Sequence, residues 1–176
     1  MIDLQLTGMG GRMDLLEVKS RVAEALVESI FRRARYTVES YHHAGALPLR
    51  VGREDFSPDF GIHIPGSNGL PERRALVEVK YRSSIDQYIS VENQRGERSV
   101  FAAANRQWPD LCFVFVTDRP QTGRSCFQAL SFPELTPGAP YDTVNLVDVA
   151  RLELFPHNID DHETLLRRIF ALLAAI

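Results

Sequence analysis

The chain has 176 residues, enough for one domain with one core. A hydrophobic share of 44% argues against long disorder, and a formal net charge of -3 with a pI near 6.0 excludes an overall basic field of the kind that marks many nucleic-acid binders. No apolar run approaches membrane-spanning length and no apolar signal core opens the chain, so no membrane partner is expected and the cytoplasm is the expected location.

Residues 14–35 read as a helix. Leu15, Val18, Val22, Ala25, Leu26, Ser29 and Ile30 recur at three- and four-residue steps. Glu17, Arg21, Glu24 and Glu28 fall on a more polar flank. Arg32, Arg33 and Arg35 gather at the end, where cations suit the helix dipole. Residues 36–41 alternate and are rich in β-formers, which predicts a strand. Residues 44–58 hold Gly45, Pro48, Gly52 and Pro58 and read as a connecting loop. Two extended segments follow, 60–64 and 75–81, separated by a loop with Pro65, Gly66, Gly69 and Pro71. They predict a hairpin. Residues 82–98 read as a polar run.

Residues 99–108 predict a helix with Ser99 as its cap, ended by Pro109 and Asp110. Residues 111–116 are continuously apolar, as in a strand buried on both faces. Residues 125–132 form a weaker strand candidate, and 133–140 a loop. Residues 144–155 are ambiguous, with a strand at 144–147 leading to a turn. Residues 161–176 predict an amphipathic helix with Leu165, Leu166, Ile169, Phe170, Leu172 and Leu173 apolar. The order of elements predicts an α/β layer fold with a mixed central β-sheet flanked by helices. The only cysteines, Cys112 and Cys126, define neither a zinc site nor a disulfide framework.

The chemistry concentrates in one spacing. Pro58-Asp59 precedes Glu78-Val79-Lys80 by eighteen intervening residues. In a strand, residues i and i+2 share a face, so Glu78 and Lys80 point the same way. If Asp59 lies across from Glu78, two carboxylates and an ammonium converge. Such a pair suits Mg²⁺, which takes hard oxygen ligands and keeps waters for the rest of its shell. Asp59 and Glu78 supply the carboxylates, and the Val79 carbonyl is the natural additional ligand. Lys80 is placed to serve an attacking water. Eighteen of the twenty basic residues are arginines; only Lys19 and Lys80 are lysines. A desolvated lysine can shed its proton near neutrality, which an arginine cannot. A second Glu-Val-Lys, at Glu17-Val18-Lys19, lies in a helical period, where i and i+2 diverge by about 200°. It also lacks a preceding Pro-Asp and reads as a decoy.

These residues resemble the PD-(D/E)xK phosphodiesterase superfamily, which includes restriction endonuclease-like proteins and Holliday junction resolvases. The resemblance covers about residues 14–118: a glutamate-bearing helix, a strand, the Asp strand, the Glu-x-Lys strand, a helix and a buried strand. It implies a single restriction endonuclease-like domain over 1–176, with its core at about 14–118 and a C-terminal strand and helix in 119–176. It implies a Mg²⁺-dependent nuclease acting on DNA, with Mn²⁺ able to substitute. Asp59, Glu78 and Lys80 match the motif. Glu24, twelve residues before Tyr36, is implied as an accessory metal ligand, with Glu28 one turn later as its competitor. Gln94 falls where many members place a polar residue near the following helix. The long Asp-to-Glu loop and the missing basic tracks depart from the resolvases. A homodimer is plausible because duplex cutting needs two sites.

Each residue also has a plainer reading. Asp59 after Pro58 suits a turn. Glu78 and Lys80 suit the solvated face of a strand, with Leu76. Together with Asp59 and the preceding helix, the setting favours a site. Solvated flank positions stand ahead of ligation for Glu24 and Glu28. Arg95 and Arg98, with Gln94, are candidate phosphate contacts, against a solvated loop. His42, His43, Asp161 and His162 lack ligand spacing. His63 reads as a strand histidine. A competing function is a nuclease-fold binding module with little or no turnover, or a subunit of a larger DNA-processing or phage-defence assembly.

Overall fold

Asp14 starts the first helix. Its carboxylate accepts the Leu16 N–H at 2.9 Å, and α1 runs Leu15–Arg33 in the computed structural model, which describes residues 14–41, 49–51 and 54–176. The buried stripe of α1 is Ala23, Leu26, Val27, Ile30 and Phe31, while Leu15, Ala25 and Ser29 are exposed. The helix is therefore rotated from the predicted stripe, toward the larger side chains Val27 and Phe31. Strand β1 (Thr37–Ser40) follows. Part of the predicted loop 44–58 is strand: β2 (Leu49–Val51) pairs antiparallel with β3 (Glu54–Phe56). His42 and His43 lie outside the described residues.

The predicted hairpin is present as β4 (Phe60–Ile64) and β5 (Arg73–Tyr81), paired antiparallel. The polar run 82–98 is not a solvated loop. Ser84 accepts the Gln87 N–H, and α2 occupies Ile85–Arg95, followed by a short 3₁₀ turn at Gly96–Arg98. It buries Ile85, Ile89 and Glu92. Helix α3 (Val100–Gln107) is capped by Ser99, whose hydroxyl accepts the Ala102 N–H at 3.0 Å. Strand β6 (Leu111–Val116) is buried throughout, as expected of its apolar run, and so is β7 (Phe127–Ser131). The short β8 (Val144–Asn145) and 3₁₀ turns at Leu146–Asp148 and Ala150–Leu152 resolve the ambiguous segment. Helix α4 begins at Pro156, five residues before the predicted start at 161, and ends at Ala174. The Asn158 side chain accepts the Phe155 N–H at 2.9 Å, and proline is tolerated in a first turn because its missing N–H has no helical partner.

The sheet is mixed, in the order β1-β4-β5-β6-β7-β8, and only β5 and β6 run parallel. That parallel pair needs a crossover, which α2 and α3 provide. Helices cover both faces. On one, α1 and α4 pack over Ile62, Val77, Val79, Val114 and the two buried cysteines, Cys112 and Cys126. On the other, α2 and α3 enclose an aromatic core of Phe101, Phe113, Phe115, Phe132 and Trp108. The α1 face of β4 and β5 carries Phe60, Ile62, Ala75, Val77, Val79 and Tyr81. The opposite face carries Gly61, His63, Arg74, Leu76, Glu78 and Lys80. Among the described residues no helix is long and apolar enough to cross a membrane.

Candidate active site

The β4–β5 register decides where the motif residues meet. Phe60 opposes Val77, so one step further sets Asp59 across from Glu78. Asp59 is fixed from both its backbone and its side chain. Its N–H donates to the Val77 carbonyl at 2.8 Å, and its Oδ2 accepts the Val79 N–H at 2.6 Å. The Asp59 carboxylate thus occupies a donor of β5 just where β4 begins, beside Glu78.

Glu78 is 3% exposed, between the Asp59 strand and Phe113 of β6. This removes the plain reading of a solvated strand face. Its Oε1 pairs with Lys80 Nζ at 2.7 Å, and Lys80 neighbours Phe115 on the same face. Its other oxygen, Oε2, is buried without a hydrogen-bond partner. Burial, and next the Asp59 charge, push the Glu78 carboxyl up to about 8, against the pull of Lys80. Burial also raises the Asp59 carboxyl, opposed by the Val79 N–H, by Lys80 and by a hydrogen bond shared with the Glu78 carboxyl, which in turn raises Glu78. A cation held between the two carboxyls would favour their ionised forms.

Glu24 of α1 joins the same electrostatic group. Its carboxyl is raised by partial burial and then by Asp59, and lowered by Arg21 and Lys80. Glu24 holds Arg21 loosely at 3.6 Å. Glu28, its competitor, is committed to Arg32 at 2.7 Å one turn further on. Glu24 is therefore coupled by charge to Asp59 and Lys80, while Glu28 is paired with Arg32. Among the described residues no group of three or more His, Cys, Asp or Glu is arranged to hold a metal ion. The carboxylates in hand are a facing pair, Asp59 and Glu78, with Glu24 further out. A pair is sufficient for Mg²⁺, whose shell is completed by water and phosphate.

The other expected residues lie elsewhere. Gln94 is exposed near the end of α2 and lines a cavity of about 490 Å³ with Asp86, Ser90, Asn93 and Tyr141. Arg95 is bound to the buried Glu92 at 2.7 Å. Arg98 sits in the exposed 3₁₀ turn. Gln94 and Arg95 lie in the last turn of α2, whose eleven residues rise about 16 Å, and Arg98 lies in the turn beyond it. His63 bridges Glu72 at 3.1 Å and Glu39 at 3.4 Å, four residue pairs along the sheet from Asp59. His162 is buried against Ser29 at 2.9 Å, and Asp161 pairs with Arg33.

The decoy lysine has a structural place of its own. Lys19 Nζ lies 3.2 Å from the Tyr81 hydroxyl and 3.8 Å from Asp118, over the rings of Tyr81 and Phe170. The Tyr81 hydroxyl donates to Asp118 at 2.9 Å. This network ties α1, α4 and the turn after β6 to the residue next to Lys80. The sequence places Arg21 on the polar flank, and the structure sets it beside Glu24, an i,i+3 neighbour on the helix. Compared with family models, curated proteins and solved structures, the chain matches none of them.

Proposed function

We propose that the chain is a divalent-metal-dependent phosphodiesterase that cuts DNA, with a restriction endonuclease-like core. One observation carries this reading: Glu78 is buried, pairs with Lys80, and faces Asp59 closely enough for the two carboxyls to share a hydrogen bond, with no donor to its Oε2. An unsatisfied buried carboxylate oxygen is costly, and proteins keep such groups where they act.

Asp59 and Glu78 would hold Mg²⁺, with Mn²⁺ as a substitute. An extended residue points its N–H and C=O to the same edge, and the Val79 N–H points at Asp59, so its carbonyl is directed to the same side as a further ligand. Glu24 would act through water or as a third carboxylate. The ion would supply Lewis-acid stabilisation of the phosphoryl oxygens and a more acidic bound water. Lys80 lowers the cost of ionising Glu78, whose carboxyl still lies up at about 8, and its ammonium would stand beside the reacting phosphate. Asp59 fixes the β4 end of the site through the Val79 N–H.

The test is metal-dependent cleavage of plasmid, linear and branched DNA. Asp59→Ala and Lys80→Ala are expected to lose cleavage by at least about a hundredfold while keeping a cooperative melt. Unchanged cleavage in either variant would sink the assignment. A second reading is a binding module or subunit of a DNA-processing assembly without turnover. The 2.7 Å Lys80–Glu78 pair favours it, because such a pair already neutralises one carboxylate. DNA binding or co-elution with a partner, with no cleavage in Mg²⁺ or Mn²⁺, would decide for it. Sedimentation with and without DNA tests whether the chain forms a homodimer.

A further inference from the structure

Gly61 and Leu76 oppose each other on the sheet face that carries Asp59, Glu78 and Lys80, and His63 and Arg74 form the next pair out. Arg74 does not stay over its own pair. Its guanidinium lies back above Gly61: a Cβ added there would sit 3.3 Å from Nη2 and 3.4 Å from Nε. The side chain therefore leans toward Asp59, into space that exists because position 61 has no Cβ. Two strand residues, roughly 7 Å, separate Gly61 from Asp59. Arg32, Arg33, Arg73 and Arg95 each hold a carboxylate. Among the described residues no ion pair claims the exposed Arg74. A cavity of about 220 Å³ opens beside it, lined also by Tyr41, Leu76 and Asp110.

We propose that Arg74, seated over Gly61, binds the DNA phosphate adjacent to the one held at Asp59 and Glu78. The inference rests on the phosphodiesterase reading and adds the residue that sets the substrate strand along β4. A guanidinium offers a planar fork that meets two phosphate oxygens, which a solvated lysine does not. The chain carries a formal net charge of -3, and its carboxylate pair repels a polyanion. One fixed cation a short way along the strand supplies attraction where the site itself cannot. Arg74 is a positioning residue: it holds the phosphate beside the reacting one.

The experiment measures cleavage kinetics in Mg²⁺, and binding of a short fluorescein-labelled duplex across a salt series, for the full chain. Arg74→Ala is expected to raise KM on the order of tenfold with kcat little changed, and to lower the slope of log K against log salt by about 0.9. Arg74→Lys should keep the salt slope and recover part of the affinity. Gly61→Val, with every charge intact, should displace the guanidinium and raise KM in the same direction. Wild-type cleavage with KM and salt slope unaltered in Arg74→Ala overturns the Arg74 assignment and leaves the phosphodiesterase reading standing. A wild-type chain that neither cuts nor binds the DNA overturns both.

Discussion

Glu78 carries a proton into a pH range where most carboxyls have none. Its pKa is raised from an ordinary 4.5 to about 8, so between those values the folded chain binds more protons than the unfolded one. Stability from this group is fully present below the lower value and is lost as pH rises through the upper. Glu78→Gln has no proton to lose. In metal-free buffer its melting temperature should gain on the wild type as pH climbs through that window, by about 3 °C for each kcal/mol of relief. Equal pH dependence in the two proteins would contradict the burial assigned to Glu78. A ligating carboxylate must be ionised, so the same proton competes with a metal. Mn²⁺ affinity measured by calorimetry should rise with pH up to about 8, at most about tenfold per unit, with proton release on binding. The motif trio was legible at this scale because strand alternation and a short hairpin leave few ways to place Asp59, Glu78 and Lys80. The unpartnered Oε2 was not, because it depends on β6 packing alongside.

At the scale of elements, the joint between α2 and α3 turns on one buried acid. Glu92 is 1% exposed; its Oε2 accepts the Val100 N–H at 2.8 Å and its Oε1 holds Arg95. It therefore satisfies an orphan donor at the start of α3 that no backbone carbonyl reaches. Glu92→Ala should lower unfolding free energy by about 1–3 kcal/mol, read from the urea midpoint at constant slope. A variant as stable as the wild type would show that the contact does not support the joint. The same acid explains why α2 escaped the sequence. A buried glutamate among Asp86, Gln87, Asn93 and Gln94 reads as solvent, and only Ile85 and Ile89 mark the apolar stripe. β2 and β3 were hidden by Gly52 and the flanking prolines, which signal turns more strongly than three-residue strands signal pairing. In α1 the helix was legible but its rotation was not. Leu15 and Val27 are equally apolar, and packing against β5 chose between them.

For the whole molecule, the mixed sheet places the site at a border. β6 and β7 are roofed by α2 and α3 on the site's face, whereas Gly61, His63 and Leu76 continue that face with smaller or less buried side chains. Glu78 sits under the edge of the roof and Asp59 on the strand beside it. This gives low polarity for the carboxylates. The α/β class and the buried β6 could be read from the apolar run and the helical periods. The border could not, because it depends on which strands the crossover helices leave uncovered.

The two thiols on the far face have a practical consequence. Cys112 and Cys126 are both 0% exposed, and burial pushes them up to about 12 and about 11. In the folded chain they are too deep and too weakly acidic to react. Disulfide-exchange reagents should therefore label them only when the sheet parts from α1 and α4, which makes each molecule a reporter of its own opening. Labelling should be slow in the native protein and quicken about tenfold for each 1.4 kcal/mol of destabilisation, as in Glu92→Ala. Rapid stoichiometric labelling of the wild type would mean that this face breathes independently of the site.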